Sequence, residues 1–154
     1  MMHFKKIGSL LVAIFVLFQF SAVAQDSAAV KWQATGKKIA EGQYEIKFTG
    51  TIKAGWHVYT KTNPLAVEGP KITFSDSAIQ KTGDQVLTGN LKTIEDKIFE
   101  ALHLEIAEDH IEIVQKIRLL GVVPAKLKAV LLYNTANNDA FIPEENKIDI
   151  DSWN

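Results

Sequence analysis

From Tyr44 to Ile52 every second residue is apolar or glycine, and the residues between are charged or hydroxylated. Tyr44, Ile46, Phe48, Gly50 and Ile52 lie on one side of an extended chain, and Glu45, Lys47, Thr49 and Thr51 on the other. A helix would scatter these side chains around its circumference, so the segment reads as a strand with one buried and one wet face. The same period recurs in Val30, Trp32 and Ala34, in Leu127, Ala129, Leu131 and Tyr133, and in Ile148 and Ile150. Gly36 to Gly42 reads as a turn. Asn63-Pro64, Gly69-Pro70, Gly83-Asp84 and Gly89-Asn90 then punctuate Lys61 to Thr93 around short runs such as Lys71 to Phe74. Strands at this spacing predict a single all-β antiparallel sandwich.

Two stretches need closer reading. Asn134 to Ala140 is the densest turn signal in the chain, closed by Phe141-Ile142-Pro143, and predicts a hairpin loop between Lys126–Tyr133 and Asn146–Asp151. Thr93 to Leu120 is ambiguous. Ile94, Ile98, Ala101, Leu102 and Ile106 fit a helical stripe over Thr93 to Ala107. Leu102, Leu104 and Ile106, then Ile111 and Ile113, then Ile117 and Leu119 also alternate as strands, with a turn between His103 and His110.

The first 24 residues carry the pattern of a cleaved export signal: Lys5 and Lys6, an apolar run from Ile7 to Phe20, and Ala22-Val23-Ala24. The apolar run is short of the about 20 residues that span a bilayer, although an uncleaved anchor is the alternative. Cleavage after Ala24 leaves a 25–154 domain, periplasmic or secreted, soluble and monomeric. Of 17 basic residues, Lys5 and Lys6 are lost, leaving 15 against 18 acidic, a net −3. That mild, mixed balance offers no basic surface for nucleic acid and no polybasic membrane patch.

The chain has no cysteine. Thiol–disulfide exchange needs an attacking thiolate, so no residue here can perform it, and Cys-ligated zinc or iron–sulfur sites are excluded. His57, His103 and His110 lack metal-ligand spacing, and no GxSxG elbow or Gly-rich phosphate loop occurs. Glu105, Glu108, Asp109 and Glu112 read as solvated charge rather than an acid/base pair. No enzymatic activity, cofactor or metal is expected.

Three pieces, in order, resemble the N-terminal periplasmic domain of the thiol:disulfide interchange protein DsbD. They are Gly55-Trp56-His57-Val58-Tyr59, Asp96-Lys97-Ile98-Phe99, and the strand–loop–Phe141-Ile142-Pro143-Glu144 sequence near the end. The resemblance spans Val30 to Asp151 and implies an immunoglobulin-like antiparallel β-sandwich, with strands rather than a helix after Thr93. It implies that Asp96 to Phe99 forms a cap loop, with Glu100 where a glycine often closes it. It also implies that Phe141 stands at the second cysteine's place and Thr135 or Ala136 at the first. Asp96, Phe99, Thr135, Ala136 and Phe141 are then the candidate binding residues of a site that has lost its redox pair. No membrane or thioredoxin-like domain is expected after Asn154. The implied function is a non-catalytic interaction module whose partner is a periplasmic or membrane redox protein. The alternatives are a non-catalytic subunit of a thiol:disulfide interchange system and a generic secreted structural domain.

Overall fold

The computed structural model describes residues 28–154, so the expected export signal and its expected cleavage after Ala24 lie outside the described residues. The described residues form eight strands: β1 (Val30–Ala40), β2 (Gln43–Ile52), β3 (His57–Tyr59), β4 (Lys71–Phe74), β5 (Ile79–Asp96), β6 (Leu102–Leu119), β7 (Leu127–Ala136) and β8 (Phe141–Ile150). All pair antiparallel, in the order β1-β2-β6-β3-β7-β4, with β5 on the free side of β6 and β8 on the free side of β7. β3 joins two layers, β1-β2-β6-β5 and β4-β7-β8, that fold face to face.

The inner faces are those the alternation marked. Ile46 and Phe48 of β2, Ile111, Ile113 and Ile117 of β6, Leu127 and Leu131 of β7 and Ile150 of β8 are fully enclosed in one cluster. Enclosing each such side chain stabilises by about 1.5–3 kcal/mol. The half-buried Trp32 of β1 meets Tyr133 of β7 edge-on at 5.3 Å, across the gap between the layers.

Several expected turns prove to be strand. β1 runs through Gly36 to Ala40, because Lys37 and Lys38 sit opposite Glu45 and Tyr44 in the ladder with β2. Gly83-Asp84 and Gly89-Asn90 are irregularities inside the 18-residue β5, not turns between strands. The helix alternative over Thr93 to Ala107 is replaced by the end of β5, a turn and the start of β6. No turn separates His103 from His110. The ladder steps from Asn90↔Glu108 to Gly89↔Ile111, leaving Asp109 and His110 as a bulge, with Asp109 at φ 62°. The bulge moves the buried positions from Leu104 and Ile106 to Ile111, Ile113, Gln115 and Ile117. Gly89 is required there, since a Cβ would lie 2.5 Å from the His110 carbonyl oxygen. Gln115 keeps the buried phase because its amide donates to the carbonyls of Gly83 (3.3 Å) and Lys116 (2.9 Å).

The C-terminal tail closes one side. Gly36 N–H donates to the Ser152 carbonyl at 2.8 Å, and Asn154 N–H donates to the Gly36 carbonyl at 2.9 Å. The Trp153 ring lies on Gly36, where a Cβ would come within 2.3 Å of it, and meets Tyr44 edge-on at 5.5 Å. Gly36→Ala therefore has to displace the indole. A loss of about 1–3 kcal/mol is expected in denaturant unfolding, the usual cost of overpacking. In a Trp153→Ala background, Gly36→Ala should cost much less, because the two changes act on one contact.

Candidate functional site

At one end of the sandwich β3 lies between β6 and β7, with Tyr59 opposite Ile106, and His57 and Val58 opposite Ala136 and Thr135. Tyr59 is fully buried, and its hydroxyl donates to Asp96 Oδ2 at 2.6 Å. Burial, then that bond, pushes the Tyr59 hydroxyl far above its ordinary pKa, so it stays a donor. Asp96, the last residue of β5, is also buried, and its Oδ1 accepts the N–H groups of Ile98 (2.8 Å) and Phe99 (3.3 Å). Ala101 N–H donates to the Asp96 carbonyl and Leu102 N–H to the Phe99 carbonyl, closing the 97–101 turn.

Glu100 and Ala101 take φ of 51° and 64°, in the left-handed region where side-chain-bearing residues are disfavoured by about 1–2 kcal/mol each. This is the physical reason that a glycine suits such a turn. Here the Asp96 carboxylate, with donors from the turn and from β3, offsets the strain.

The turn folds Phe99 over Phe141. Their rings meet at right angles with centroids 5.4 Å apart, and Tyr59 touches both, at 5.8 and 5.9 Å. The two edge-to-face pairs, Phe99–Phe141 and Tyr59–Phe99, each contribute about 0.5–1.5 kcal/mol beyond area burial. Beneath them Leu104, Ile106, Val67 and Ala136 form a second small core separate from the main one.

The β7–β8 hairpin is tighter than expected. Its loop is only 137–140, because the Asn137 side chain accepts the N–H groups of Asp139 (2.8 Å) and Ala140 (2.7 Å). Phe141, Ile142 and Pro143 belong to β8, and Pro143 is tolerated opposite Asn134 on an edge strand. Ala136 is the direct partner of Phe141, while Thr135 pairs with Ile142 and its hydroxyl donates to the Ile142 carbonyl at 3.1 Å. The structure thus brings Asp96, Phe99, Ala136 and Phe141 together around Tyr59, with Thr135 one step away on the opposite pleat. The double variant Ala136→Cys/Phe141→Cys is expected to form a cross-strand disulfide on mild oxidation, and Thr135→Cys/Phe141→Cys is not. Thiol titration and mass spectrometry of the two read this directly.

The cap turn has an open cleft of about 430 Å³ on one side, lined by Trp56, His57, Ile94, Asp96, Glu108 and Asn137 among others. His57 Nε2 is buried there with no hydrogen bond, 4.0 Å from Asp96 Oδ2. Burial lowers the His57 pKa, only partly opposed by the Asp96 and Glu108 carboxylates, so the ring is neutral at pH 7. Another groove, of about 500 Å³, is lined by Leu65, Ile98, Phe99, Glu100 and Leu102. Leu65 is 82% exposed and Ile98 40%. Asn63 holds Leu65 outward through a side-chain bond to the Leu65 N–H, while Ala66 and Val67 turn into the small core. The sequence marks only a turn at Asn63-Pro64, so Leu65 was not readable as a rim residue. Tyr59 was readable as a core aromatic but not as the donor that fixes Asp96. Among the described residues, no group of three or more His, Cys, Asp or Glu side chains could hold a metal ion.

No family model and no curated protein matches this sequence. Solved structures do match. The N-terminal periplasmic domain of ScsB from Proteus mirabilis superposes with a TM-score of 0.62 at 18% identity, over 82% of this chain and 48% of that one. The DsbD N-terminal domain of Neisseria meningitidis, in its reduced form, superposes with a TM-score of 0.50 at 14% identity, over 79% of this chain and 84% of that one. The chain has the fold of the DsbD N-terminal domain. It spans about half the length of the ScsB structure. The DsbD-type sandwich read from three short resemblances is thus present without a cysteine, and an aromatic pair occupies the end where the resemblance places the reactive one.

Proposed function

We propose that this protein is an exported, non-catalytic interaction module that docks a periplasmic or membrane redox protein through its capped end. The observation that carries this reading is the apolar groove beside the cap. Leu65, from the turn held by Asn63, and Ile98, on the turn held in place by Asp96, stand out into solvent around Phe99 and Leu102. Exposed apolar groups on a rigid frame favour association, because covering them removes apolar surface from water without ordering a loop first. The class of partner follows from the DsbD resemblance, and the role stops at docking because the chain offers no thiolate. Export is supported by the Ala22-Val23-Ala24 pattern, and Gln25 is expected at the N-terminus of the processed protein. The exported form is a monomer.

Affinity capture from the native periplasm tests the reading when variants are compared. A thioredoxin-like or membrane redox protein should be retained by the wild type and by Val122→Asp, whose site is fully exposed at the opposite end of β6. Ile98→Asp should lose it, since a charge in an apolar contact strands an unpaired carboxylate. Equal retention by all three, or none by the wild type, would contradict docking at the cap.

A further inference from the structure

His57 is a largely enclosed base whose Nε2 has no hydrogen-bond partner, set against the residue that organises the cap. Its side chain is 14% exposed, its ring meets Tyr59 edge-on at 5.0 Å, and its Nε2 stands 4.0 Å from Asp96 Oδ2, beyond hydrogen-bond reach. We propose that His57 is an acid-sensitive latch of the cap: proton uptake by its imidazole releases the 97–101 turn from β3. The inference concerns the turn itself and holds whether or not a partner docks there.

A neutral imidazole tolerates this position, but an imidazolium needs water or a carboxylate at bonding distance. Asp96 is the nearest carboxylate, and both its oxygens are already engaged, Oδ2 by the Tyr59 hydroxyl and Oδ1 by the Ile98 and Phe99 N–H groups. Rotating it toward a charged His57 would disturb the bonds that hold the turn. The other charged groups around the ring do not supply the missing partner. Glu108 of β6 is paired with Lys92 of β5 at 2.7 Å, and Asp109 accepts the Asn90 amide at 3.1 Å. Glu95 and Lys97 line the same cleft with opposite charges, and Asn137 and Asn138 of the β7–β8 loop are neutral. Lys92 opposes protonation of His57 while Asp96 and Glu108 favour it, and the burial of the ring outweighs them all.

The sign follows. The closed cap holds the His57 pKa below its value in an open, solvated state, so the open state binds the proton more tightly. Closure is therefore fully favoured above about pH 6.5, the ordinary histidine value, and weakens as the pH falls. For one proton the open-to-closed ratio rises by at most about tenfold per pH unit.

Amide hydrogen exchange of the wild-type protein, expressed as protection factors from pH 7.5 to 5, tests this. Protection at Ile98, Phe99 and Leu102 should fall several-fold while Ile46 and Ile113 in the main core stay protected. In His57→Gln the cap protection should not vary with pH; His103 and His110 remain in that variant as exposed controls. In the wild type, the NMR titration midpoint of the His57 ring should coincide with the loss of protection, which keeps the proposal testable if the variant folds poorly. Constant cap protection, the same fall in His57→Gln, a core that opens in step with the cap, or a His57 midpoint separate from cap opening would each overturn it.

Discussion

Replacing Asp96 by alanine is expected to cost about 3–5 kcal/mol of unfolding free energy. The carboxylate is buried and accepts three hydrogen bonds, from the Tyr59 hydroxyl and the Ile98 and Phe99 N–H groups. Bonds to a charged group contribute about 1.5–3 kcal/mol each, and a buried donor left without its acceptor adds about 1–3. The turn's two N–H groups recover water once it loosens, which keeps the total below the simple sum. Asp96→Asn should cost less, because an amide oxygen in the Oδ1 place still accepts both turn N–H groups. Tyr59→Phe should fall between, near 1.5–3 kcal/mol, because it leaves Oδ2 buried without its donor. Equilibrium denaturation ranks the three. If Asp96→Ala proved neutral, the carboxylate would not organise the cap.

Phe141→Ala is expected to lose about 2–3 kcal/mol. A fully enclosed Phe costs roughly 3–5 when truncated, and Phe141 keeps part of its surface in solvent. Phe99→Ala should lose less, since Phe99 lies on the turn rather than in a ladder. The double variant should fall short of the sum by about 0.5–1.5 kcal/mol, the worth of the edge-to-face contact at 5.4 Å. Tyr59 touches both rings, so the same cycle in a Tyr59→Leu background should show a different coupling. Strict additivity would mean that the rings do not meet in solution.

The sheet was legible in the sequence wherever one face is buried and the other wet. Ile46 and Phe48 alternate with Glu45 and Lys47, and that pattern has one solution. It failed at two kinds of place. The Asp109-His110 bulge shifts the buried phase within one strand, and a shifted phase looks the same in sequence as a turn between two strands. The β1 and β5 edges carry Gly36 and Gly89, which read as turns because nothing local says that a tail ring or a bulge needs the missing Cβ, and Gly83, which takes φ 71° at an irregularity inside β5. At the site, Phe99 and Phe141 could be placed together only through family resemblance, since they lie 42 positions apart in the chain. The His57–Asp96–Tyr59 arrangement needed three strands and a turn in register, which periodicity does not encode.

The most direct test of docking at the cap is site-specific photo-cross-linking in the native cell. A photoreactive side chain is placed at Ile98 in one variant and at Val122, at the far end of the sandwich, in another. The docking reading predicts a discrete adduct from position 98, containing a thioredoxin-like or membrane redox protein, and none from position 122. No adduct from position 98, or the same adduct from both positions, would contradict it.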